Sequence, residues 1–176
     1  FFFKQKTAYE ISTRDWSSDV CSSDLDFTIP RISQLTLKTN QFNLTTKRYQ
    51  ESDIKKFAQD EDYLVGCAQV EDKFGNSGIT GVFIIKKQKP EWVIDTFLLS
   101  CRIMGRKIED GILARIIQKA EQENISTIKG TFIPTKKNKP CENFLADFGF
   151  TKEDNDWVYK ITNPIKIPDH LSCSVE

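Results

Sequence analysis

Residues 92–107 read WVIDTFLLSCRIMGRK, in which a nearly continuous apolar run leads into a short basic segment. Such a run is typical of a strand buried on both faces, so residues 92–100 are predicted to be the central strand of a sheet. The residues that follow predict a long amphipathic helix ending near Glu123. Its apolar positions recur at the helical spacing: Ile108, Ile112, Leu113, Ile116, Ile117 and Ala120.

The flanking sequence predicts further strands and helices. Alternating side chains predict a half-buried strand at residues 41–49, and Ser52 is a candidate N-cap for a helix to about Asp60. A left-handed cap at Gly149 is expected to end a short helix that begins near Pro140. The remaining predicted elements are a helix at 31–39 and strands at 63–70, 79–85, 126–134 and 157–161, with a return strand from Phe150. This order predicts an α/β fold with a central mixed β-sheet flanked by helices.

The basic segment after the central strand carries the clearest chemical signature. Backbone N–H groups at the start of a helix, aided by the helix dipole, favour a bound anion. The predicted ligand is a phosphate or pyrophosphate. Glycine lets the backbone approach it closely, and the cationic side chains add positive charge. The predicted binding residues are Arg102, Ile103, Met104, Gly105, Arg106 and Lys107. The alternative is an ordinary strand-to-helix turn with solvated basic side chains.

Composition limits the other function classes. The 25 Lys and Arg residues balance 25 Asp and Glu residues, which gives no electrostatic argument for nucleic acid or an anionic membrane as partner. No apolar run approaches the ~20 residues of a membrane span. His170 is the single histidine and the cysteines lack metal-ligand spacing, so no metal site is predicted. Scattered cysteines are typical of a reducing cytoplasm, where we expect the protein to reside.

Residues 102–107 resemble the pyrophosphate loop of GNAT acyltransferases, Q/R-x-x-G-x-G/A. Arg102 and Gly105 match the first and fourth positions, whereas Lys107 stands where glycine or alanine is usual. The resemblance implies a GNAT-like acyl-CoA N-acyltransferase fold. It also implies a cofactor, either CoA or acetyl-CoA or the phosphopantetheine arm of a carrier protein.

The second half of the chain is similar to the closing GNAT motif. Asn138 precedes a helix that ends in Phe148-Gly149-Phe150, as the asparagine of that motif does. Many members place a tyrosine four residues before the glycine, where it protonates the leaving thiolate. Leu145 occupies that position here, so the usual general acid is missing.

Longer segments resemble FkbH-like proteins, namely residues 31–36, 38–46, 72–75, 94–102 and 134–138. In that family a HAD-type (subfamily IIIC) phosphatase domain precedes a GNAT-like domain. A glyceryl unit from a phosphorylated three-carbon precursor is loaded onto an acyl carrier protein in polyketide and related pathways. The resemblance implies an acyltransferase-type domain with an acyl carrier protein as partner. The HAD domain is expected upstream, so no phosphatase activity is expected from this chain.

Asp95, Cys101 and Asn138 are the candidates for catalysis. An unpaired carboxylate inside an apolar strand costs free energy. Asp95 therefore either contacts substrate, as an orienting group or a base with a raised pKa, or pairs with a lysine or arginine at a sheet end. Cys101 precedes the anion loop and either carries a transient thioester or is a small buried filler. Asn138 either has the role of the family asparagine or caps a helix.

Polar groups around the loop complete the predicted site. Backbone N–H groups near Leu99 are expected to polarise a thioester carbonyl, with the arm beside the edge of the central strand. The amide side chains of Asn40, Gln41 and Asn43 either read the amides of pantetheine or support the upstream HAD domain. The basic turn 136–139 either meets an acidic carrier protein or is a solvated turn.

The termini are expected to lie outside the domain. Residues 4–11 and 19–25 read as in-frame translations of sequencing-adapter bases, in the adapter's order. We therefore expect residues 1–25 to be an unstructured artefact that replaces lost upstream sequence. Residues 26–40 are predicted to be the junction to the missing HAD domain, residues 41–162 the GNAT-like domain, and residues 163–176 a loose tail.

Three functions stay open on the sequence. The first is acyl transfer onto the thiol of a carrier protein, assisted by proximity. The second is a non-catalytic docking module that presents the carrier arm to the HAD site. The third is an acetyl-CoA-dependent N-acetyltransferase, for which neither a general base nor a general acid is evident.

Overall fold

The computed structural model describes residues 9–15, 22–72, 75–162, 165–169 and 171–175, with side chains for 28–72, 75–162, 165–169 and 171. Within these ranges nine strands form one mixed sheet. They are β1 Tyr9–Asp15, β2 Phe42–Asn43, β3 Tyr63–Asp72, β4 Gly75–Gln88, β5 Glu91–Leu99, β6 Thr127–Gly130, β7 Thr151–Glu153, β8 Asp156–Lys160 and β9 Leu171–Val175. The helices are α1 Ser22–Lys38, α2 Glu51–Gln59, α3 Ile108–Gln122 and α4 Phe144–Phe148, with short 3-10 turns at Cys101–Ile103 and Lys139–Cys141.

The strand order is β7-β8-β6-β5-β4-β3-β1-β9, and β2 pairs with β5 off this path. Strands β3, β4 and β5 form an antiparallel meander, whereas β5 and β6 are parallel and are joined through α3. The predicted mixed sheet, with residues 92–100 in its centre, is confirmed. Crossing from β5 to a parallel neighbour requires a connection of helix length, which the amphipathic segment after the basic loop supplies.

Helices cover both faces of the sheet, and each face has its own core. The α3 and α4 side holds Ile112 and Phe144 against Phe83 and Ile85. The α1 and α2 side packs Ile32 and Ile54 against strand residues that alternate with these along β4: Val82 and Ile84. Each fully buried side chain of this size contributes roughly 1.5–3 kcal/mol before its entropy is subtracted. The central strands are therefore apolar on both faces.

Two predicted boundaries on the α1 and α2 side were wrong. Helix α1 begins before Arg31 and continues through Pro30, and Leu37, expected in the core, is 41% exposed. Helix α2 starts after Gln50, whose N–H donates to Asp53 Oδ2 at 2.9 Å, so Ser52 is not its cap. The local signal at α2 is a capping box between Gln50 and Asp53, two positions before the one that Ser52 would require.

The predicted strand at residues 41–49 is reduced to the two residues of β2. Residues 42–45 are buried on both faces, whereas alternation predicted one exposed face. The reason lies in the tertiary contacts of the segment. This segment lies between β5 and the chain that follows β6, so no side of it reaches solvent.

The N-terminal segment was expected to be unstructured and the C-terminal tail to be loose, but they contain strands β1 and β9. β1 pairs with β3 antiparallel, with Ile11 opposite Val70, and β9 runs parallel to β1. The outer edge of β3 offers a row of backbone donors and acceptors, which an extended segment can pair with whatever its side chains. The adapter origin concerns how the sequence arose and stays a prediction. Residues 1–8, 16–21, 73–74, 163–164, 170 and 176 lie outside the described residues.

Candidate functional site

A cleft of about 740 Å³ opens where β5 ends and the predicted anion loop begins. Its walls come from the second half of α1, from residues 99–102 and from the basic turn after β6. None of its described lining residues is acidic. Five of them are cationic: Arg31, Lys38, Arg102, Lys136 and Lys137. A concave surface lined by one sign of charge concentrates ligands of the opposite sign. We refer to it below as the basic cleft.

The cations of the basic cleft are available to a ligand to different degrees. Arg31 is held in place, because its Nε and Nη2 donate to the main-chain oxygen of Ile79 at 3.4 and 3.3 Å. Arg102 and Lys137 are exposed, and no ion pair engages either of them within the described part of the chain. Positive charge is therefore available on the wall that continues into the predicted loop.

Arg31 and Lys38 line the cleft but were not among the site residues predicted from the sequence. They lie seven positions apart on α1, with Gln34 and Leu35 between them, so all four share one helix face. That spacing was visible in the sequence. The missing information was which loops this face meets.

Two residues of the predicted anion loop have a left-handed backbone, and binding of an anion there stays a prediction. Gly105 has φ +76°, and nothing lies within 4 Å of where its Cβ would stand. Lys107 also adopts a left-handed conformation, with φ +62°. It occupies the position where the GNAT pattern has glycine or alanine, and it takes the conformation that glycine favours. Ile103 is fully buried and fastens the loop to the core.

The charges at the start of α3 are already engaged by the protein. Arg106 Nη1 lies 3.2 Å from Asp72 Oδ2, and Lys107 Nζ lies 3.4 Å from Asp110 Oδ2. Burial raises the pKa of Glu109, while the backbone amides of Glu109 and Ile108 and the charge of Lys107 partly offset that rise in its pKa. Glu109 is in the first turn of α3, and its Oε2 is buried without a hydrogen-bond partner among the described residues. A phosphate bound at the first amides of α3 would add negative charge near this carboxyl.

The edge of β5, where we expected the cofactor arm, is occupied by residues 42–45, called the inserted segment from here on. Phe42 lies opposite Leu99 in the β2–β5 ladder, and Leu44 N–H donates to the oxygen of Phe97 at 3.1 Å. Leu99 is 1% exposed, so its backbone is not open to a thioester carbonyl in this conformation. In this conformation the chain itself occupies the edge of β5, and the position of the cofactor arm stays a prediction.

The far side of the inserted segment is bonded to the chain after β6. Ile133 N–H donates to the oxygen of Leu44 at 2.9 Å. Asn138 Nδ2 donates to the oxygens of Asn43 and Ile133 at 3.0 and 2.9 Å. Asn138 is fully buried and makes no side-chain cap bond to the turn that follows it. In this structure Asn138 bonds the inserted segment to the chain after β6 and is not a helix cap, and its catalytic role stays a prediction.

Asp95 carries the ion pair that was one of its two alternatives. Its carboxylate contacts Lys47 Nζ and accepts from the hydroxyls of Tyr49 and Thr96 at 2.8 and 3.0 Å. Burial raises the pKa of Tyr49, and the hydrogen bond to Asp95 raises it further. Asp95 and Lys47 line a second cavity of about 410 Å³, together with Thr45.

The three candidate catalytic residues are not brought together. Cys101 is exposed on the wall of the basic cleft, so the alternative of a buried filler is wrong. Asp95 faces the second cavity, and Asn138 lies in the interior between them. Cys141 is a buried thiol whose Sγ donates to the oxygen of Asn138 at 3.2 Å, and burial raises its pKa to about 11.

No group of three or more His, Cys, Asp or Glu side chains among the described residues is arranged to hold a metal ion. No helix in the described part of the chain has the length and apolar character needed to span a bilayer.

Solved structures that share this fold include acetyltransferases. A putative acetyltransferase of the GNAT family from Desulfovibrio desulfuricans has a TM-score of 0.60 at 10% identity, covering 86% of this chain and 99% of that one. The ribosomal-protein-S18-alanine N-acetyltransferase of Escherichia coli has a TM-score of 0.54 at 13% identity, covering 85% and 89%. Rv2747 from Mycobacterium tuberculosis, in complex with CoA, has a TM-score of 0.55 at 18% identity, covering 73% and 69%. No family model and no curated protein matches the chain. These likenesses establish the fold, and the chain has the GNAT acyltransferase fold.

Proposed function

We propose that the domain binds the phosphopantetheine arm of an acyl carrier protein in the basic cleft and assists acyl transfer to or from its thiol. The observation that carries this proposal is the charge of the cleft. Five of its lining side chains are cationic, and none of the described lining residues is acidic. The phosphodiester of the arm is an anion that Arg102, Lys136 and Lys137 can contact. CoA contains the same arm, and Rv2747, which shares the fold, was solved with CoA.

The polar lining of the cleft suits the rest of the arm, which carries two amides and ends in a thiol. Gln41 is exposed on the wall, where its side-chain amide can hydrogen-bond an amide of the ligand. The Cys101 thiol lies on the same wall. Of the amides expected to read pantetheine, Asn43 is excluded in this conformation because it is buried and donates to the oxygen of Thr39. Asn40 Oδ1 accepts from Arg48 instead.

We further propose that the chain is the GNAT-like domain of an FkbH-like HAD-IIIC protein that loads a glyceryl or other acyl unit in polyketide-type biosynthesis. Arg31, Gln34 and Lys38 support this, because they belong to the expected junction and line the basic cleft. An upstream HAD domain attached there would border the cleft. Holding the arm beside such a domain would assist loading by proximity.

Calorimetry and mass spectrometry test the proposal directly. The chain is titrated in parallel with CoA, acetyl-CoA and a phosphopantetheinylated carrier protein, and acyl transfer is followed by intact mass. We expect binding that weakens with added salt. The double variant Arg102→Ala/Lys136→Ala should weaken it by about tenfold or more, at roughly 1.5–3 kcal/mol per charge-assisted hydrogen bond. Lys152→Ala, on strand β7 away from the cleft, is the control. Equal affinity for the double variant and the control would exclude the cleft.

A second function, docking of the carrier arm without catalysis, is favoured by the closed edge of β5. Leu99 is covered by Phe42, and the position of the missing tyrosine is Leu145, which is 1% exposed. Tight binding of the carrier protein with no movement of the acyl group would select this function. Acetyl transfer from acetyl-CoA to a small amine would select the N-acetyltransferase instead.

A further inference from the structure

We infer that the inserted segment, residues 42–45, is a displaceable strand whose release opens a groove along β5 and joins the basic cleft to the second cavity. This rests on the proposed function in one respect, since the phosphopantetheine arm is the ligand that would use the groove.

The inserted segment separates the two cavities along one strand edge. Residues 38–41, just before it, line the basic cleft together with Leu99. Thr45, at its other end, lines the second cavity together with Asp95. Leu99 and Asp95 are four residues apart on β5, a span of about 13 Å in an extended strand. Removal of the segment would leave a continuous groove of that length.

The groove exists because β5 and β6 pair over only part of their length. Their parallel register covers Trp92 with Ile128 and ends at Ile94 with Gly130. Beyond that point the oxygen of Phe97 and the N–H of Ile133 both bond to Leu44. The segment thus supplies an acceptor and a donor to two chains that would otherwise face each other across a gap.

A strained residue directly follows the segment. Thr46 has φ +53°, a left-handed conformation that a β-branched side chain rarely adopts. Its N–H donates to Asn43 Oδ1 at 2.9 Å, which compensates for part of the strain. Strain next to a segment that contributes only a two-residue strand favours a change of conformation at that point. Thr46 is therefore the expected hinge.

An extended ligand with amide groups can take over the bonds of the segment. The arm carries two amides on an extended chain, and its phosphate would be fixed in the basic cleft at one end of the groove. The arm and the inserted segment therefore compete for the edge of β5. The Lys47–Asp95–Tyr49 cluster lies at the far end of the path that the arm would follow. If only the open conformation binds the arm, the apparent Kd equals the Kd of the open conformation divided by the fraction of molecules that are open.

Hydrogen exchange of individual amides, combined with CoA titration, tests the inference. Asn43→Ala removes the bond to Thr46 N–H and should favour the open state. Thr46→Asn should favour the closed state, because asparagine tolerates a left-handed backbone. We expect the amides of Leu44 and Ile133 to exchange about five- to tenfold faster in the first variant and slower in the second. CoA affinity should rise and fall by similar factors. Asp154→Asn, at a left-handed residue in the β7–β8 turn, is the matched control.

The possible outcomes separate the two proposals. If the amides of Leu44 and Ile133 exchange only with global unfolding in every variant, the displaceable strand is excluded. CoA that binds with one affinity to all three proteins also overturns it. If exchange shifts as expected but neither CoA nor the carrier protein binds, the proposed function fails and the displaceable strand stands. If Asn43→Ala does not fold, the comparison of Thr46→Asn with the wild type decides the question.

Discussion

Asn138 Nδ2 donates to the main-chain oxygen of Asn43 at 3.0 Å, across 95 residues of sequence. Both residues are fully buried. Asn138 Oδ1 also accepts from Thr135 N–H at 2.7 Å, so one side-chain amide binds the inserted segment to the turn that bears Lys136 and Lys137. The wall of the basic cleft and the filled edge of β5 are therefore fixed by the same group.

We predict that Asn138→Ala lowers the free energy of unfolding by about 2–4 kcal/mol, because it leaves buried donors and acceptors unsatisfied. Urea unfolding followed by tryptophan fluorescence measures the change. Asn143→Ala is the matched control, since Asn143 is exposed and makes no side-chain cap bond to α4. The control should lie within about 0.5 kcal/mol of the wild type. An Asn138→Ala protein as stable as the control would show that this amide does not hold the segment.

We predict that Gly66→Ala is strongly destabilising although Gly66 sits in a regular strand. Gly66 lies opposite Phe83, and a Cβ built on it would be 2.1 Å from the ring. The ring must move, at a cost of about 2–3 kcal/mol. The same substitution in a Phe83→Ala background should cost much less, because the clash is gone. Urea unfolding of the four proteins gives the coupling. Equal costs in both backgrounds would rule out the ring as the cause.

The sequence predicted the unit around β5 and α3 well, because its signals are local. The apolar run and the helical spacing from Ile108 to Ile117 each report on one element. The left-handed cap at Gly149, with φ +109°, is equally local. In each case the apolar or capping residues identified in the sequence are the ones that pack or cap in the structure.

The inserted segment could not be predicted, because its environment depends on a gap between two other strands. Alternation from Gln41 onward indicated an exposed face, yet residues 42–45 are buried on both sides. Asn138 resembled a helix cap because Pro140 follows it, whereas its partner is Asn43, far away in sequence. For the same reason, the sequence did not show that the edge of β5, where the cofactor arm is expected, is occupied by the chain. Nothing in the sequence pattern indicates that another segment pairs with the edge of β5, whereas in the structure β2 pairs with it.

We predict that Glu109→Gln stabilises the protein near neutral pH. The pKa of Glu109 is raised above its ordinary value of 4.5, chiefly by burial. The folded state therefore binds this proton more tightly than the unfolded state does. The associated stability is fully present below the ordinary pKa and is lost as the pH rises through the folded pKa. The variant should unfold at a higher urea concentration than the wild type at about pH 7–8, and the difference should shrink towards about pH 4.

The control for this pH dependence is Glu142→Gln, at an exposed glutamate. It should follow the wild-type stability curve at every pH. If Glu109→Gln does the same, burial of that carboxyl carries no cost. The variant also tests the start of α3 as an anion site. If phosphate competes there with the Glu109 carboxylate, inorganic pyrophosphate should stabilise Glu109→Gln more than the wild type.

We predict that cysteine alkylation of the native protein distinguishes the cleft thiol from the buried ones. The thiolate is the reactive form, and Cys101 is exposed whereas Cys67 and Cys141 are buried. With iodoacetamide at about pH 8, Cys101 should react first, and Cys141 should react only on unfolding, because its pKa is raised to about 11. Peptide mass spectrometry reports each cysteine separately.

We also predict that bound CoA protects Cys101 from alkylation, which would show that the ligand occupies the basic cleft. CoA in the basic cleft would cover the wall that Cys101 shares with Arg102, so saturating CoA should slow its alkylation by about tenfold or more, as expected at [L] of roughly 10–100 Kd. Arg102→Ala/Lys136→Ala should lose that protection, while Lys152→Ala should keep it. Denatured protein, in which Cys67, Cys101 and Cys141 should react alike, gives the unprotected reference rate. If CoA binds by calorimetry yet leaves the Cys101 rate unchanged, the ligand occupies a different surface, and the charge of the cleft serves another partner.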